Sequence, residues 1–380
     1  MKKIVANKHT TAKVFCFDNG TETREYHVVI TVNDRLLSYQ QQLEALQDAF
    51  HDIRKEAIGR AATVFKRYFL SDASNQTDAL MNYELENTDY AVSAIEQAPL
   101  NGTKVGLWAY IVAGMQTKAL SSGLYEASHG RYRHLWLGNA CNHAKDSERQ
   151  TRILLNEYAT QLLAEDCTLA DNCIRTWFFV NDIDLNYGGV VKARNDVFAT
   201  QNLTDQTHFI ASTGIGGRQA DAHVLAQMDA YAIEGISPEQ IHHLYATTHM
   251  NRTSDYGVSF ERGTCVDYGD RRHVFISGTA SINNKGEVVH KGDVVAQCHR
   301  MWDNVGTLLQ EAECDFDNAA YMIVYLRDMA DYEVVKKLFE ERFLNVPYII
   351  VNAPICRNGW LIEMECMAVK AVSNPEYEPF

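Results

Sequence analysis

The sequence lacks several features that would assign it to a common protein class. No apolar run approaches the length of a membrane-spanning helix, and the N-terminus, MKKIVANKHT, has no apolar core of a secretory signal. The 380 residues contain no C-x-x-C pair, and the nine cysteines are scattered singly. We therefore expect a cytoplasmic protein with reduced thiols and with neither a disulfide framework nor a zinc ribbon.

Clustered positive charge is also missing. The formal net charge is −14, and no stripe of lysines and arginines interleaved with aromatic residues is present. Phosphate backbones bind clustered cations, so we expect no nucleic-acid partner, and we expect no membrane partner either. The histidines of HHLYATTHM have no accompanying carboxylate pattern, and no metal or other cofactor is predicted. An anionic small molecule could still bind a local pocket of arginines against the overall charge.

A weak internal repeat is the most informative feature that the sequence does contain. QLLAEDCTLADNCIRTWFFVNDIDLNYGGVVKARNDVF, ending at Phe198, is similar to TLLQEAECDFDNAAYMIVYLRDMADYEVVKKLFEERF, ending at Phe343. Flanking segments recur in the same order, since HLWLGNA parallels HVFISGTA and VLAQMDAYAI parallels WLIEMECMAV. Ordered similarity of this kind indicates two copies of one unit, at roughly residues 130–235 and 270–370.

The second copy shows the secondary structure of this unit. RHVFISGTASI and YMIVYL are typical strands, and Asp293 and Asp331 can each cap a following amphipathic helix. YIIVNAPI and WLIEMECMAV are predicted to close the unit as a strand pair. The expected fold class is α/β (α+β), with tandem units that are each a mixed sheet with two helices packed on one face.

The chain is long enough for more than one domain, with 46% hydrophobic residues. Residues 1–100 are predicted as a lead segment, with a strand (REYHVVITV), a long helix (QQQLEALQDAFHDIRKEAIGRAATVFKRYF) and a polar loop (LSDASNQTDALMNYELENTD). Residues 101–235 form the first unit and residues 265–380 the second. The turn-rich connector, residues 236–264, is either a linker or a substrate loop.

Two carboxylates lie on one face of the last predicted strand. Alternation places Glu363 and Glu365 side by side, and a solvated face is the ordinary explanation, because acids are seldom buried without a partner or a task. The first copy has Gln227 and Asp229 at the matching positions, so the strand pattern does not require Glu363. We therefore interpret Glu363 as a catalytic acid in one active site per chain. Glu365 would either raise the pKa of Glu363 or anchor the strand.

The second copy resembles the Rid (YjgF) family, in which small proteins with a bacillus-chorismate-mutase-like fold trimerise and form clefts between subunits. The resemblance is carried by SGTASI, KGDVVAQCHRMWDNVGTLLQEAE, VYLRDMADYEVVKKLFEERF and IEMECMA. It implies a homotrimer. Enamine-deaminating members have an arginine two residues after the proline that precedes the penultimate strand, whereas NVPYIIV has Ile349 there. Imine hydrolysis of that type is not expected.

The wider chain is similar to the chorismatases, a group built on this fold that removes the enolpyruvyl side chain of chorismate as pyruvate. The matching motifs, from about residue 106 to 369, are GLWAY, GRYRHLWLGN, ASTGIGG, YGVSFERG, ISGTASI with HKGDVVAQ, and CRNGWLIEME. The chain departs from the group at Ala109 and at Asn139, where asparagine and arginine are usual. The resemblance implies that Glu363 protonates the enolpyruvyl group.

The same resemblance implies a set of substrate-binding residues. They are Arg131, Arg133, Tyr256, Arg262, Gly278, Ala280, Cys356 and Arg357. Within the group, a glycine in SGTAS together with a cysteine before the arginine of CR is typical of members that form 3-hydroxybenzoate, and this chain has both. The alternative is a non-catalytic Rid-like protein that binds a small metabolite, which the residues at positions 109 and 139 favour. A ribonuclease is disfavoured by the acidic charge.

Overall fold

The structure is a computed structural model that describes residues 2–59, 61–84 and 88–380. The N-terminal part contains β1 (Lys2–Ala6), β2 (Thr10–Phe17), β3 (Arg24–Val32), α1 (Tyr39–Ile53), β4 (Ala62–Leu70), α2 (Ala73–Glu84), β5 (Ala91–Glu96) and β6 (Val105–Ala113). The middle part contains β7 (Gln116–Ala119), β8 (Tyr125–His129), β9 (Tyr132–Cys141), α3 (Ser147–Leu163), α4 (Leu169–Asn172), β10 (Cys173–Val180), α5 (Ile183–Thr200), β11 (Ala211–Gly216) and β12 (Ala226–Glu234). The C-terminal part contains β13 (Ile241–Leu244), β14 (Gly263–Asp267), β15 (Arg271–Ala280), α6 (Val294–Glu311), β16 (Ala319–Leu326), α7 (Tyr332–Arg342), β17 (Tyr348–Asn352) and β18 (Ile362–Ala371).

Each part forms one six-stranded mixed sheet. The strand orders are β1-β2-β3-β6-β4-β5, β11-β10-β12-β9-β8-β7 and β13-β14-β15-β18-β16-β17. Every sheet has one parallel pair, β4 with β5, β10 with β11 and β16 with β17. Two long helices cover one face of each sheet, which confirms the predicted fold class. No helix in the described ranges has the length and apolar character needed to cross a bilayer.

The number of units is three, not two. The lead segment predicted at residues 1–100 forms a complete sheet, which extends past that boundary to the end of β6 at Ala113. The single long helix predicted for it is wrong, because α1 ends at Ile53 and, after a π-helical turn, Gly59 has a φ of 69°. The β-branched and aromatic run that follows forms β4, and the predicted polar loop contains α2, whose Leu80 is fully buried.

The connector and the last strands also differ from prediction. Residues 236–264 include β13, the edge strand of the third sheet, so this segment is more than a linker. The final two strands do not pair with each other, because β16 lies between β17 and β18.

The three sheets meet around a shared core. Trp108, Trp136 and Phe275, one from each unit, belong to one buried cluster. Beside it, Arg67 of the first unit lies 2.8 Å from an oxygen of Asp229 in the second and 3.6 Å from one of Glu365 in the third. Apolar packing and buried ion pairs therefore hold the three units together within one chain.

This arrangement predicts a monomer in solution. The homotrimer expected above assumes units that need partners from other chains, whereas here one chain supplies three units and fills the interfaces between them. Light scattering should give the mass of a single chain, 43.0 kDa. A mass three times larger would instead support the homotrimer.

Candidate active site between the second and third units

A cavity of about 300 Å³ lies between the second and third units and includes Glu363. Helix α5 and strand β11 of the second unit form one wall. Strands β15 and β18 and the loop before β18 form the opposite wall, and the connector adds Val258 and Phe260. We call this space the Glu363 cavity.

Glu363 lies on the central strand β18, opposite Ala280 of β15 and Tyr325 of β16. Its side chain is only 4% exposed. Burial, and then the negative charge of Glu365, raises the pKa of Glu363 to about 8, against the opposing charges of Arg262 and Arg175. Within the described part of the chain, its carboxyl makes no hydrogen bond to protein. At neutral pH this group is therefore a carboxylic acid that faces a cavity.

Glu365, two residues along the same face, has a different environment. It is 1% exposed and accepts hydrogen bonds from Arg175 Nη2 at 3.1 Å, Trp177 Nε1 at 2.9 Å and Thr213 Oγ1 at 2.7 Å. All three donors belong to the second unit. Such a set of donors stabilises a charged carboxylate. Glu365 thus anchors β18 to the neighbouring unit, and its charge also favours the protonated form of Glu363.

Gly278 makes room for the acid. The register of β15 against β18 shifts between Ile276 and Thr279, which places a bulge at this glycine. A Cβ atom at Gly278 would overlap Oε1 of Glu363 and would lie 3.1 Å from Cγ2 of Thr213. The Gly278 N–H donates to Thr213 Oγ1 at 2.9 Å. A side chain at this position would displace the carboxyl.

Gly278→Ala is expected to lower the free energy of unfolding by about 1–3 kcal/mol, because it overpacks the cavity wall against Glu363. The loss should be smaller in a Glu363→Ala background, in which the overlapping carboxyl is absent. Urea denaturation of the single and double variants measures both effects. Gly306→Ala, a helical glycine whose added Cβ would meet nothing closer than 3.4 Å, is the matched control and should be neutral or slightly stabilising. Equal losses in both backgrounds would contradict this explanation.

Three arginines give the cavity positive charge. Arg194 of α5 is 1% exposed, and its Nε and Nη2 atoms have no hydrogen-bond partner among the described residues. Arg262 donates to the Asn251 backbone oxygen at 3.2 Å, and Arg357 donates to the backbone oxygen of Gly286 at 2.9 Å. With Glu363 neutral, these cations outweigh the acid in a protein whose net charge is −14. The cavity therefore suits an anionic molecule.

Cys356 and Ala280 complete the wall around the acid. Burial raises the pKa of the Cys356 thiol to about 12, and a hydrogen bond links it with Tyr187. The thiol therefore stays protonated and does not supply a thiolate nucleophile. Ala280 lies opposite Glu363 and leaves its small methyl group at the wall.

The structure places most of the predicted site residues together. The residues that line the Glu363 cavity are Arg262, Gly278, Ala280, Cys356, Arg357 and Glu363. Tyr256 ends the 3-10 turn Thr253–Tyr256, and its side chain lies outside the described residues.

The placement of Arg131 and Arg133 in the site is wrong for this chain. Arg131 Nε donates to the backbone oxygen of Gly235, and Arg133 pairs with Glu126 at 2.8 Å and Glu165 at 2.6 Å. Arg131 precedes β9 and Arg133 is its second residue, whereas the part of β9 that meets the first unit, at Val92, is Gly138 near the other end of the strand.

Sequence reasoning missed Arg194 and Tyr187. Both residues lie in the repeat segment that ends at Phe198, but neither belongs to a motif from which site residues were predicted. The available signal was spacing, because Tyr187, Val191 and Arg194 recur at intervals that share one helix face, and all three line the cavity.

The two departures from the chorismatase pattern lie away from the cavity. Ala109 is fully buried in the core of the first unit. Asn139 accepts a hydrogen bond from the Ala94 N–H at 3.3 Å, and its own N–H donates to Asp229 at 2.8 Å. Neither residue lines the Glu363 cavity, so neither argues against catalysis there.

Strand register identifies the counterparts of Glu363 in the other sheets. In the strand pairing, Glu363 lies opposite Tyr325, Gln227 lies opposite Phe179 and Gly106 lies opposite Phe69, which is the same position in each of the three sheets. Gln227 is buried and donates to Ser93 Oγ at 3.3 Å. Of these three positions, one carries an acid.

Register also locates the counterparts of Ile349, where deaminating relatives are expected to have arginine. Ile349 pairs with Ile323, Thr213 with Trp177, and Ser93 with Arg67. The corresponding positions of the three sheets are therefore isoleucine, threonine and serine, and none of them is arginine. No cluster of potential metal ligands occurs among the described residues.

Comparisons with known proteins agree with this architecture. A profile of the family described as Endoribonuclease L-PSP matches residues 265–370. A RutC family protein of Pyrococcus abyssi is 31% identical over 100 residues, which cover 26% of this chain and 78% of the relative. A 2-iminobutanoate/2-iminopropanoate deaminase of Mus musculus is 28% identical over 104 residues, which cover 26% of this chain and 75% of the relative.

A solved structure of a chorismatase is similar over most of the chain. The alignment covers 80% of this chain and 92% of the chorismatase, with a TM-score of 0.63 and 17% sequence identity. Similarity at this identity concerns the fold. The chain thus belongs to the RutC (Rid/YjgF) family, and its three units together have the fold of a chorismatase.

Proposed function

We propose that the Glu363 cavity releases pyruvate from chorismate, or from a close enol ether, after Glu363 protonates the enolpyruvyl group. One observation carries the proposal, namely a buried glutamic acid that keeps its proton near neutral pH and faces a cavity lined by arginines. The shared fold with a chorismatase supports the same reaction class.

The chemistry of enol ethers explains why such an acid is needed. Cleavage begins when a proton adds to the terminal vinyl carbon, which leaves an oxocarbenium ion. Water then attacks this ion to give a hemiketal, which collapses to pyruvate as the bond between its central carbon and the ring oxygen breaks. Attack by a neighbouring ring hydroxyl gives a cyclic ketal instead. Protonation of carbon is slow, so the donor must be held close and still be protonated at the working pH. Glu363 meets the second condition, and the carboxylate that it leaves can take a proton back from the attacking hydroxyl.

The arginines supply the binding part of the reaction. Chorismate carries two carboxylates, and guanidinium groups recognise carboxylates through paired hydrogen bonds. Arg194 offers two nitrogens that have no hydrogen-bond partner among the described residues, and Arg262 and Arg357 lie elsewhere on the same cavity surface. The volume of about 300 Å³ suits one small molecule.

The expected second product is 3-hydroxybenzoate. Gly278 and Cys356, the residue types associated with that product in the chorismatase group, both line the cavity beside Glu363. In this route a ring hydroxyl captures the oxocarbenium ion as a cyclic ketal. The oxygen of that hydroxyl then leaves its ring carbon and becomes the carbonyl oxygen of pyruvate, the bond from the ketal carbon to the other ring oxygen breaks, and the ring carbon that keeps its oxygen loses its hydrogen as a proton. Chorismate thus divides into pyruvate and 3-hydroxybenzoate without net consumption of water. Attack by water would instead give a dihydroxycyclohexadienoate.

The direct test is to mix the purified protein with chorismate and follow pyruvate with a coupled lactate dehydrogenase. Chromatography of the same mixture identifies the ring product, and we expect equal amounts of pyruvate and 3-hydroxybenzoate. Calorimetric binding of chorismate without pyruvate would replace this proposal with a Rid-like binding protein. Turnover of 2-iminopropanoate but not of chorismate would replace it with a deaminase.

A further inference from the structure

A second cleft, of about 600 Å³, lies between the third and first units. It repeats the construction of the Glu363 cavity, with α7 and β17 in the places of α5 and β11. The internal repeat that aligns Phe198 with Phe343 also aligns Tyr187 with Tyr332, and Tyr332 lines this cleft. We call it the Lys13 cleft, after the lysine of β2 on its wall.

The Lys13 cleft has no counterpart of Glu363. Gly106 occupies the strand position of Glu363, and a Cβ atom there would lie 2.5 Å from Cδ1 of Ile349. The isoleucine side chain therefore fills the space that the carboxyl takes in the other interface. The cleft can hold a molecule, but the acid among the described residues that line it, Glu340, is exposed and not buried like Glu363.

Lys13 is a half-buried cation that forms no ion pair among the described residues, and the nearby charge of Glu340 offsets only part of its burial. Its Nζ lies 3.9 Å from the centre of the Tyr348 ring, and in the described part of the chain it has no hydrogen-bond acceptor and no ion-pair partner. Burial lowers the pKa of Lys13 to about 8, so the ammonium is still mostly charged at neutral pH. Partial desolvation of a charge is unfavourable unless a counter-ion joins it.

The rest of the cleft defines that counter-ion. Arg35 and Lys336 add positive charge, while Glu340, the acid whose charge acts on Lys13, lies 4.0 Å from Lys336. Apolar side chains, including Ile349 and Ile350, form the neighbouring wall. The cleft thus combines excess cation with apolar surface.

We propose that the Lys13 cleft binds a small organic carboxylate, with its carboxylate at Lys13 and a ring or short apolar body against β17. This site is separate from the Glu363 cavity, and its occupancy does not depend on the reaction proposed there.

Benzoate is the probe, and isothermal titration calorimetry is the measurement. Because benzoate could also enter the Glu363 cavity, the titrations use protein in which Arg194→Met has weakened that cavity. We expect benzoate to bind, Lys13→Met to weaken binding by about 10- to 100-fold, and Lys13→Arg to restore it to within a few-fold, as for a lost and regained charge-assisted hydrogen bond. Benzamide, which has the same shape without the charge, should bind at least tenfold more weakly.

Each of several results would overturn the proposal. These are no benzoate binding, equal binding of benzamide, or an affinity that Lys13→Met leaves unchanged. Pyruvate release from chorismate should be the same in Lys13→Met and wild type, so failure of this site is distinguishable from failure of the proposed reaction.

Discussion

Replacing Glu363 by glutamine should lower the kcat of pyruvate release by about 10²- to 10⁴-fold, the usual contribution of a positioned general acid. An amide has the same shape as the carboxylic acid but no proton acidic enough to transfer to carbon. The fold should survive, because the second unit already carries Gln227, buried, at the same strand position. The coupled pyruvate assay gives kcat, and circular dichroism checks the fold.

The control for Glu363→Gln is Glu44→Gln, the same change on the exposed surface of α1. It should leave kcat unchanged. If Glu363→Gln folded normally and kept more than a tenth of the wild-type kcat, Glu363 would not be the proton donor.

Replacing Arg194 by methionine should lower kcat/KM by about 10- to 100-fold, which corresponds to the loss of hydrogen bonds to a charged substrate group, about 1.5–3 kcal/mol. The same change should leave the free energy of unfolding unchanged or raise it. Two nitrogens of this buried guanidinium have no hydrogen-bond partner in the described part of the chain, so no such bond offsets the cost of burying them. Steady-state kinetics and urea denaturation give the two quantities.

Arg131→Met is the matched control, because Arg131 contacts Gly235 outside the cavity. Its kcat/KM should equal that of wild type. A fall in both activity and stability for Arg194→Met would assign Arg194 a structural role instead.

The sequence could predict those features of the protein that depend on the alternation of residues within one strand. Alternation placed Glu363 and Glu365 on one face of the strand. Comparison with Gln227 indicated that the strand can form without an acid at position 363, so the acid there pointed to function. What alternation could not supply was the environment, since both faces of β18 are buried in this central strand. The different hydrogen-bond sets of the two glutamates arise from the neighbouring unit, which no local pattern reveals.

The first unit was missed because its similarity to the others is fainter. Its clearest signal is short, the run His27-Val28-Val29-Ile30 against His273-Val274-Phe275-Ile276, in strands that occupy the same place in their sheets. Because this short similarity was not used, the helix predicted in the first unit was continued through Gly59 into the residues that form β4.

The arginines show a second limit of motif reasoning. Arg133 and Gly138 are five residues apart in β9, and an extended strand places them at opposite ends of it. Only the end with Gly138 meets the neighbouring unit, at Val92. Arg194 is remote in sequence from Glu363, and packing of two units brings both to one cavity.

Proton retention by Glu363 is the condition on which the proposed reaction depends, and its most direct test compares the unfolding of wild type and Glu363→Gln between pH 5 and pH 9. The pKa of Glu363 rises from 4.5 to about 8 on folding, so between those values the folded protein holds a proton that the unfolded chain releases. The stability that this proton contributes is complete below the unfolded pKa and is lost as pH rises through the folded one.

The free energy of unfolding of wild type, relative to Glu363→Gln, should therefore fall by about 1.4 kcal/mol for each pH unit up to about pH 8 and stay level above it. Glutamine does not titrate, so the subtraction removes the contributions of other groups. A difference that is constant across this range would show that Glu363 is already ionised at neutral pH, and it would contradict the role of Glu363 as the acid.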